Sequence, residues 1–295
     1  MSRTEHLPPS AAALLDLPKE ERIKRIQSPR WIGYTRAEKL LECLEELLVY
    51  PRTHRMPNLL IVGDTNNGKT MLVQRFWHRH APDDNPKGEG AIVPVLYMQA
   101  PPIPDESKFY SAILELLFAP YRASDRVEKK QAQALKLLRY VGLKLLIIDE
   151  IHHILAGNLN KQRGFLNVIK FIGNELQVPV VGVGTGDAFR AIQTDPQLAN
   201  RFDPGKLPRW QHDEDFLRML VSFERMLPLR QASTLHDPAI SSKLLSMSEG
   251  LIGELSRILV SAASQAVQSG EERITVKTLS LIDWISPSER KRQKI

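Results

Sequence analysis

Three short stretches carry residue types that could do chemistry together. The first, Gly63-Asp64-Thr65-Asn66-Asn67-Gly68-Lys69-Thr70, has the form G-x-x-x-x-G-K-T. The backbone N–H groups of such a loop wrap phosphates, and the helix that follows adds the positive end of its dipole. Lys69 is placed to reach β and γ phosphates, and Thr70 to offer its hydroxyl to Mg²⁺. At average composition the pattern arises by chance in about one chain in a hundred of this length. A glycine-rich turn that binds nothing has no need of Lys-Thr at its end. The second stretch is Leu145-Leu146-Ile147-Ile148-Asp149-Glu150, in which Asp149 lies 80 positions after Lys69 (149 − 69). Asp149 would hold Mg²⁺ through water, and Glu150 would orient and deprotonate an attacking water. The plainer alternative is that Asp-Glu caps the next helix. The third is Thr185, at the end of Val178 to Gly184. It would sense a γ-phosphate or position water, or else cap a helix starting near Asp187.

Those groups need a scaffold that brings distant segments to one edge. Asn58 to Val62 is an apolar run, and Met71 to Trp77 has helical spacing, so the loop is expected between strand and helix. Four successive apolar residues before Asp149 describe a central parallel strand, and ligands sit at the carboxyl ends of such strands. Further strands are expected over 91–98, 178–185 and 206–210. Helices are expected over 35–49, 105–118, 126–140 and 162–175. From Asp213 to Trp284 the pattern is almost wholly helical, over 213–226, 238–247, 252–268 and 276–285. The fold class expected is α/β: a three-layer P-loop domain with a parallel five-stranded sheet, then a small all-helical lid. The divisions expected are a peripheral N-terminal extension (1–30), a nucleotide-binding domain (31–212), the lid (213–285) and a solvated basic tail (286–295).

The 295 residues suffice for one large or two moderate domains, and 42% apolar with 25% charged residues is ordinary for a globular protein. A net charge of +6 and a pI of about 9.4 fit nucleic acid as a partner without demanding it. The single cysteine, Cys43, can form no internal disulfide and reads as a small buried hydrophobe. No N-terminal apolar leader and no long apolar run is present, so the expectation is a soluble protein of a reducing bacterial cytoplasm with no membrane contact. His152-His153 has no Cys or carboxylate cluster at zinc spacing, and reads as surface histidines or supports for neighbouring groups.

Taken together, the loop, Leu-Leu-Ile-Ile-Asp-Glu, a polar strand tip, the pair Arg201-Phe202 and an all-helical C-terminal part resemble the AAA+ ATPases. The wording of Gly63 to Thr70, of Asp149 to Gly157 and of Leu227-Pro228-Leu229-Arg230 is narrower, and is similar to the TniB family. These TnsC-like proteins are ATP-dependent regulators of bacterial DNA transposition, and the resemblance covers about residues 30 to 285. It implies ATP and Mg²⁺ as cofactors, and assembly of the chain with itself, as a ring or helical filament, on duplex DNA. It implies a link between a TniQ-like target selector and a TniA-like DDE transposase, with hydrolysis removing the assembly. Carried over by position, Gly63 through Met71 bind ATP, Lys69 and Thr70 form the Walker A pair, and Asp149 and Glu150 the Walker B pair. Thr185 falls at the first sensor, and Arg201 at the arginine finger that serves the neighbouring subunit, with Arg190 and Arg209 as rivals. Ile32 and Tyr34, upstream of the first core strand, fall beside the adenine; packing within an aromatic cluster is the alternative. Lys108, Arg122, Arg126, Lys129 and Lys130 fall in the region that faces DNA. One position departs from the pattern: where many AAA+ proteins carry a second-sensor Arg, Gly253-Glu254-Leu255-Ser256 puts Ser, and Arg257 is one step off. Competing readings are an AAA+ helicase loader or replication initiator, a P-loop small-molecule phosphotransferase, and a helicase. The helicase lacks room for a second RecA-like domain.

Overall fold

The computed structural model describes residues 5–193 and 195–292, and the chain divides into two compact units. The sheet unit takes in residues 39–65 and 69–207. Its five strands are β1 (Asn58–Gly63), β2 (Val95–Gln99), β3 (Leu145–Asp149), β4 (Val180–Gly184) and β5 (Phe202–Leu207), ordered β2-β3-β4-β1-β5. Every pairing is parallel. The central strands are apolar between their polar ends, Asn58 and Asp149, because both faces are covered by helices; β3 and β4 are buried at every position. Leu60, Ile148, Phe109, Ile113, Leu146, Phe165 and Ile172 meet in one core around the sheet. Because the strands are parallel, β1, β3 and β4 all end at the same edge, where the sequence places its polar residues.

Two strands differ from the sequence expectation. β2 begins at Val95, not Ala91: Ile92 instead bridges Asp83 in an antiparallel pair, and the Pro94 carbonyl caps the entry of β3 by accepting from Lys144 N and Leu145 N. β5 is Phe202–Leu207 rather than 206–210. Its Asp-Pro-Gly reads as a turn, yet β5 is an edge strand, where a missing N–H costs no ladder bond. The helix Leu159–Leu176 starts earlier than expected because Asn158 caps it, its side chain accepting from Lys161 N at 3.0 Å. Cys43 is exposed, not buried: Leu40, Leu41, Leu44 and Leu47 form the inward stripe of its helix, and Cys43 lies off that stripe.

The helical unit takes in residues 1–38, 66–68 and 208–295. Its helices Glu214–Met226, Pro238–Ser248, Ile252–Ser269 and Val276–Leu281 pack Phe216, Leu220, Leu244, Leu255, Ile258, Leu259 and Ala262 together. The last of these stops at Leu281, short of the expected 285, because Ile282 turns extended. Ile26 and Ile32 join the same core, so the N-terminal arm is packed into this unit rather than loosely attached. Arg22, 2% exposed, pairs with Glu272. The basic segment after Trp284 forms a further helix, Pro287–Arg292. Among the described residues no helix is long and apolar enough to cross a membrane.

Candidate nucleotide site

In the sheet unit, β1 delivers the glycine-rich loop and Lys69 opens the helix Lys69–Arg79. Lys69 is buried, and its Nζ donates to Gly63 O at 2.9 Å and Asp64 O at 2.7 Å. Burial lowers its pKa against the pull of Glu150, Asp149 and Asp64. Thr70 Oγ1 donates to Asp149 Oδ2 at 2.8 Å, so residues 79 apart in the chain meet at the carboxyl edge. Asp149 is 1% exposed, and its carboxylate also accepts from Tyr97 OH at 2.9 Å and Glu150 N at 2.8 Å. A hydroxyl and a carboxylate are hard oxygen donors of the kind Mg²⁺ takes.

Tyr97 on β2 is a candidate site residue that the sequence does not reveal. Only the strand order, which sets β2 beside β3, brings it to Asp149. Burial, and after it the Asp149 charge, push its pKa well above the ordinary tyrosine range, so it stays a donor.

Glu150 sits at φ +53, a left-handed conformation uncommon for a residue with a side chain. It is half-buried, and its Oε2 lies 3.1 Å from His152 Nδ1, although that nitrogen is outside hydrogen-bond geometry. Glu150, His152 and His153 each offer a ligand atom within 4.8 Å of the others. The carboxylate partner missing from the sequence reading of the histidine pair is therefore Glu150 itself. Thr185 follows β4, between the strands that carry the loop and Asp149. Its Oγ1 is buried with no hydrogen-bond partner among the described residues. Its backbone carbonyl, not its hydroxyl, receives Ala188 N at 3.0 Å.

Arg201 lies at the other edge. Its carbonyl accepts from Asn58 N, the first residue of β1, at 2.8 Å, and its guanidinium donates to Asn174 Oδ1 at 2.7 Å. It lines a surface cleft with Tyr50, Arg55, Asn200 and Asp203. Of the rivals, Arg190 pairs with Asp187 on its own helix, and Arg209 lies 3.7 Å from Glu249.

Within the helical unit, Asn66 Nδ2 donates to Glu254 Oε1 at 2.8 Å, Asn66 O accepts from Gly253 N at 3.0 Å, and Asn67 Nδ2 donates to Pro208 O at 3.1 Å. Gly68 adopts φ +80, which a side chain would resist. Tyr34 lines a cleft of about 630 Å³ with Thr35, Arg36, Arg209, Trp210 and Met219, and its ring meets Trp210 edge-on at 5.0 Å. Burial raises its pKa to about 12. Ile32 faces the apolar core instead. Met71 is 44% exposed.

The five basic residues after β2 divide. Lys108, Arg122 and Arg126 are exposed. Lys129 pairs with Asp125 at 2.7 Å. Lys130 is buried, donating to Ser107 Oγ at 3.0 Å and Ala123 O at 3.1 Å, and so tethers the loop.

Comparison with known proteins places this geometry in context. Residues 22–212 match the family model described as "Bacterial TniB protein". The chain is 27% identical over 149 residues to the chaperone protein ClpB of Aquifex aeolicus (strain VF5), a match over 50% of this chain but only 13% of that protein. Among solved structures it superposes on the Aeropyrum pernix ORC2 protein in its ADPNP-ADP complexes. The TM-score is 0.61 at 16% identity, over 92% of this chain and 74% of that one. Drosophila ORC bound to DNA gives a TM-score of 0.57 at 14% identity, over 92% of this chain and 66% of that chain. At these identities the superpositions speak for the fold, that of the AAA+ proteins.

Proposed function

Because the chain belongs to the bacterial TniB protein family and has the AAA+ ATPase fold, we propose that it is an ATP-dependent regulator of DNA transposition that oligomerises on duplex DNA. It joins a TniQ-like target selector to a TniA-like DDE transposase, and hydrolysis takes the assembly apart.

The ATPase part is supported by the carboxyl edge of the sheet. Gly63 through Met71 form the phosphate cradle, with Lys69 neutralising the β and γ phosphates. Thr70 and Asp149 hold Mg²⁺, which when bound supplies further neutralisation there. Glu150 orients a water and takes its proton, and the unpartnered Thr185 hydroxyl faces the charge that develops. Tyr97 steadies the Asp149 carboxylate. Tyr34, in the cleft that Arg209 and Trp210 also line, contacts the base. Arg201, at the amino edge of its own sheet, acts on the neighbouring subunit's nucleotide.

DNA binding is read from charge. Lys108, Arg122 and Arg126 are exposed and can meet phosphates, though the Arg122 charge also acts on Asp125; Lys129 can exchange Asp125 for one, and Lys130 acts by holding the loop. Any duplex is accepted, because phosphate contacts carry no sequence information.

The observation that carries the reading is the Thr70–Asp149 bond, together with an orphaned Thr185 hydroxyl after the strand between β1 and β3. Its test is Glu150→Gln, which leaves the cradle intact. The variant should bind ATP as the parent does, hydrolyse it at least about a hundredfold more slowly, and stay on duplex DNA after ATP is added. Full turnover would remove Glu150 from its role.

A further inference from the structure

We propose that Arg290 on the C-terminal helix is a positioning residue for the phosphate loop, acting through Glu254; this rests on the loop's binding ATP as read above. The family match ends at residue 212, so it does not reach either side chain. Asn66 lies in the middle of the loop at φ +62, in the left-handed region that asparagine tolerates better than most residues with a side chain. Two bonds hold it there, Gly253 N to Asn66 O at 3.0 Å and Asn66 Nδ2 to Glu254 Oε1 at 2.8 Å. The approach is close enough that a Cβ on Gly253 would fall 2.0 Å from Asn66 Oδ1.

Glu254 is 5% exposed, and a buried carboxylate requires a cation. Its two oxygens divide the work: Oε1 takes the loop, while Oε2 takes the Arg290 guanidinium directly, with Arg257 standing off at 3.7 Å. Arg290 is itself held in place. Its guanidinium lies over the Trp284 ring, 5.5 Å from the centroid, and the Trp284 indole donates to Met247 O at 2.9 Å. Ser288 N donates to Glu249 Oε1 at 2.8 Å, and Ser286 is bonded to Glu289. The helix is thus pinned at its N-terminal end, just ahead of Arg290. Without Arg290, the carboxylate is drawn toward Arg257, and Oε1 leaves Asn66. The loop's N–H groups then have to be ordered when phosphate arrives, so nucleotide binds more weakly. The chemistry step does not use Arg290 and should be spared.

The test is a titration of the full-length protein with a fluorescent ATP analogue and Mg²⁺, for the parent, Arg290→Ala, Glu254→Ala, the double variant and Arg290→Lys. Arg290→Ala should raise Kd about five- to tenfold, as for loss of one charged hydrogen bond, with kcat at saturating ATP within about twofold of the parent. Arg290→Lys should recover most of the affinity, and the double variant should bind no more weakly than Glu254→Ala alone. Parental affinity in Arg290→Ala, or losses that multiply in the double variant, would overturn the proposal. Thermal melting without nucleotide checks each fold; should Arg290→Ala not fold, Arg290→Gln, which keeps a donor, gives the same comparison. A parent that binds no better than Lys69→Ala would sink the ATP-binding reading itself, whereas a parent that binds and an indifferent Arg290→Ala sink only this one.

Discussion

Arg201→Ala tests whether one subunit completes another's site. Register fixes where Arg201 is: Asn58 pairs with Phe202 and Gly63 with Leu207, so Arg201 precedes the first pair while the phosphate loop follows the last. Five residue steps at about 3.3 Å each separate the two edges by roughly 17 Å, further than an arginine side chain extends. Arg201 therefore has no route to its own chain's nucleotide, and any part it plays in hydrolysis is played in trans. A missing arginine finger costs about a thousandfold or more in turnover and leaves ATP affinity nearly unchanged. The decisive assay mixes two dead proteins, Arg201→Ala and Glu150→Gln, on duplex DNA and measures phosphate release. In a randomly assembled equal mixture half of the sites keep Glu150 and half of the neighbours keep Arg201. About one quarter of the head-to-tail interfaces are then complete, and activity should return to about a quarter of the parent's. A mixture no more active than its two components measured apart would refute trans action. So would an Arg201→Ala protein that hydrolyses ATP at the parental rate alone.

Two other perturbations follow from the same geometry. Thr185→Val removes a buried hydroxyl that no described residue bonds, so stability should stay within about 0.5 kcal/mol while hydrolysis falls about 10- to 100-fold; a destabilised variant with full activity would make Thr185 a cap instead. Arg22→Ala leaves Glu272 short of its buried partner, and urea unfolding should show a loss of about 3 kcal/mol; a loss below about 1 kcal/mol would mean that the arm does not hold the helical unit.

The loop and the Asp149-Glu150 strand end could be read from sequence because each is a local pattern. The parallel strand arrangement then dictates that they meet. What escaped depends on partners far along the chain. Arg22 lies in the charge-rich helix Lys19–Gln27, and only Glu272, 250 positions away, accounts for its burial. Tyr97 has no local signature and becomes a site residue through its strand's neighbour. Asp203-Pro204-Gly205 has turn chemistry, and its place at a sheet edge overrides it. Residue type alone puts Cys43 inside, whereas the helical period of its leucine neighbours puts it outside. Gly253 and Glu254 open the segment in which Ser256 stands in place of a second-sensor arginine. The structure turns Glu254 toward Asn66 and lets Arg290 approach from beyond the helical core, which no motif in the sequence announces.

The central claim is that nucleotide in the Lys69 cradle gates loading onto duplex DNA. Electron microscopy of the protein with duplex, with and without a non-hydrolysable ATP analogue, reads that gate directly. With the analogue, rings or helical filaments should coat the duplex at low salt and thin steeply as salt rises; without it, or in Lys69→Ala, the duplex should stay bare. Equal coating in the absence of nucleotide, or by the Lys69→Ala protein, would contradict the account.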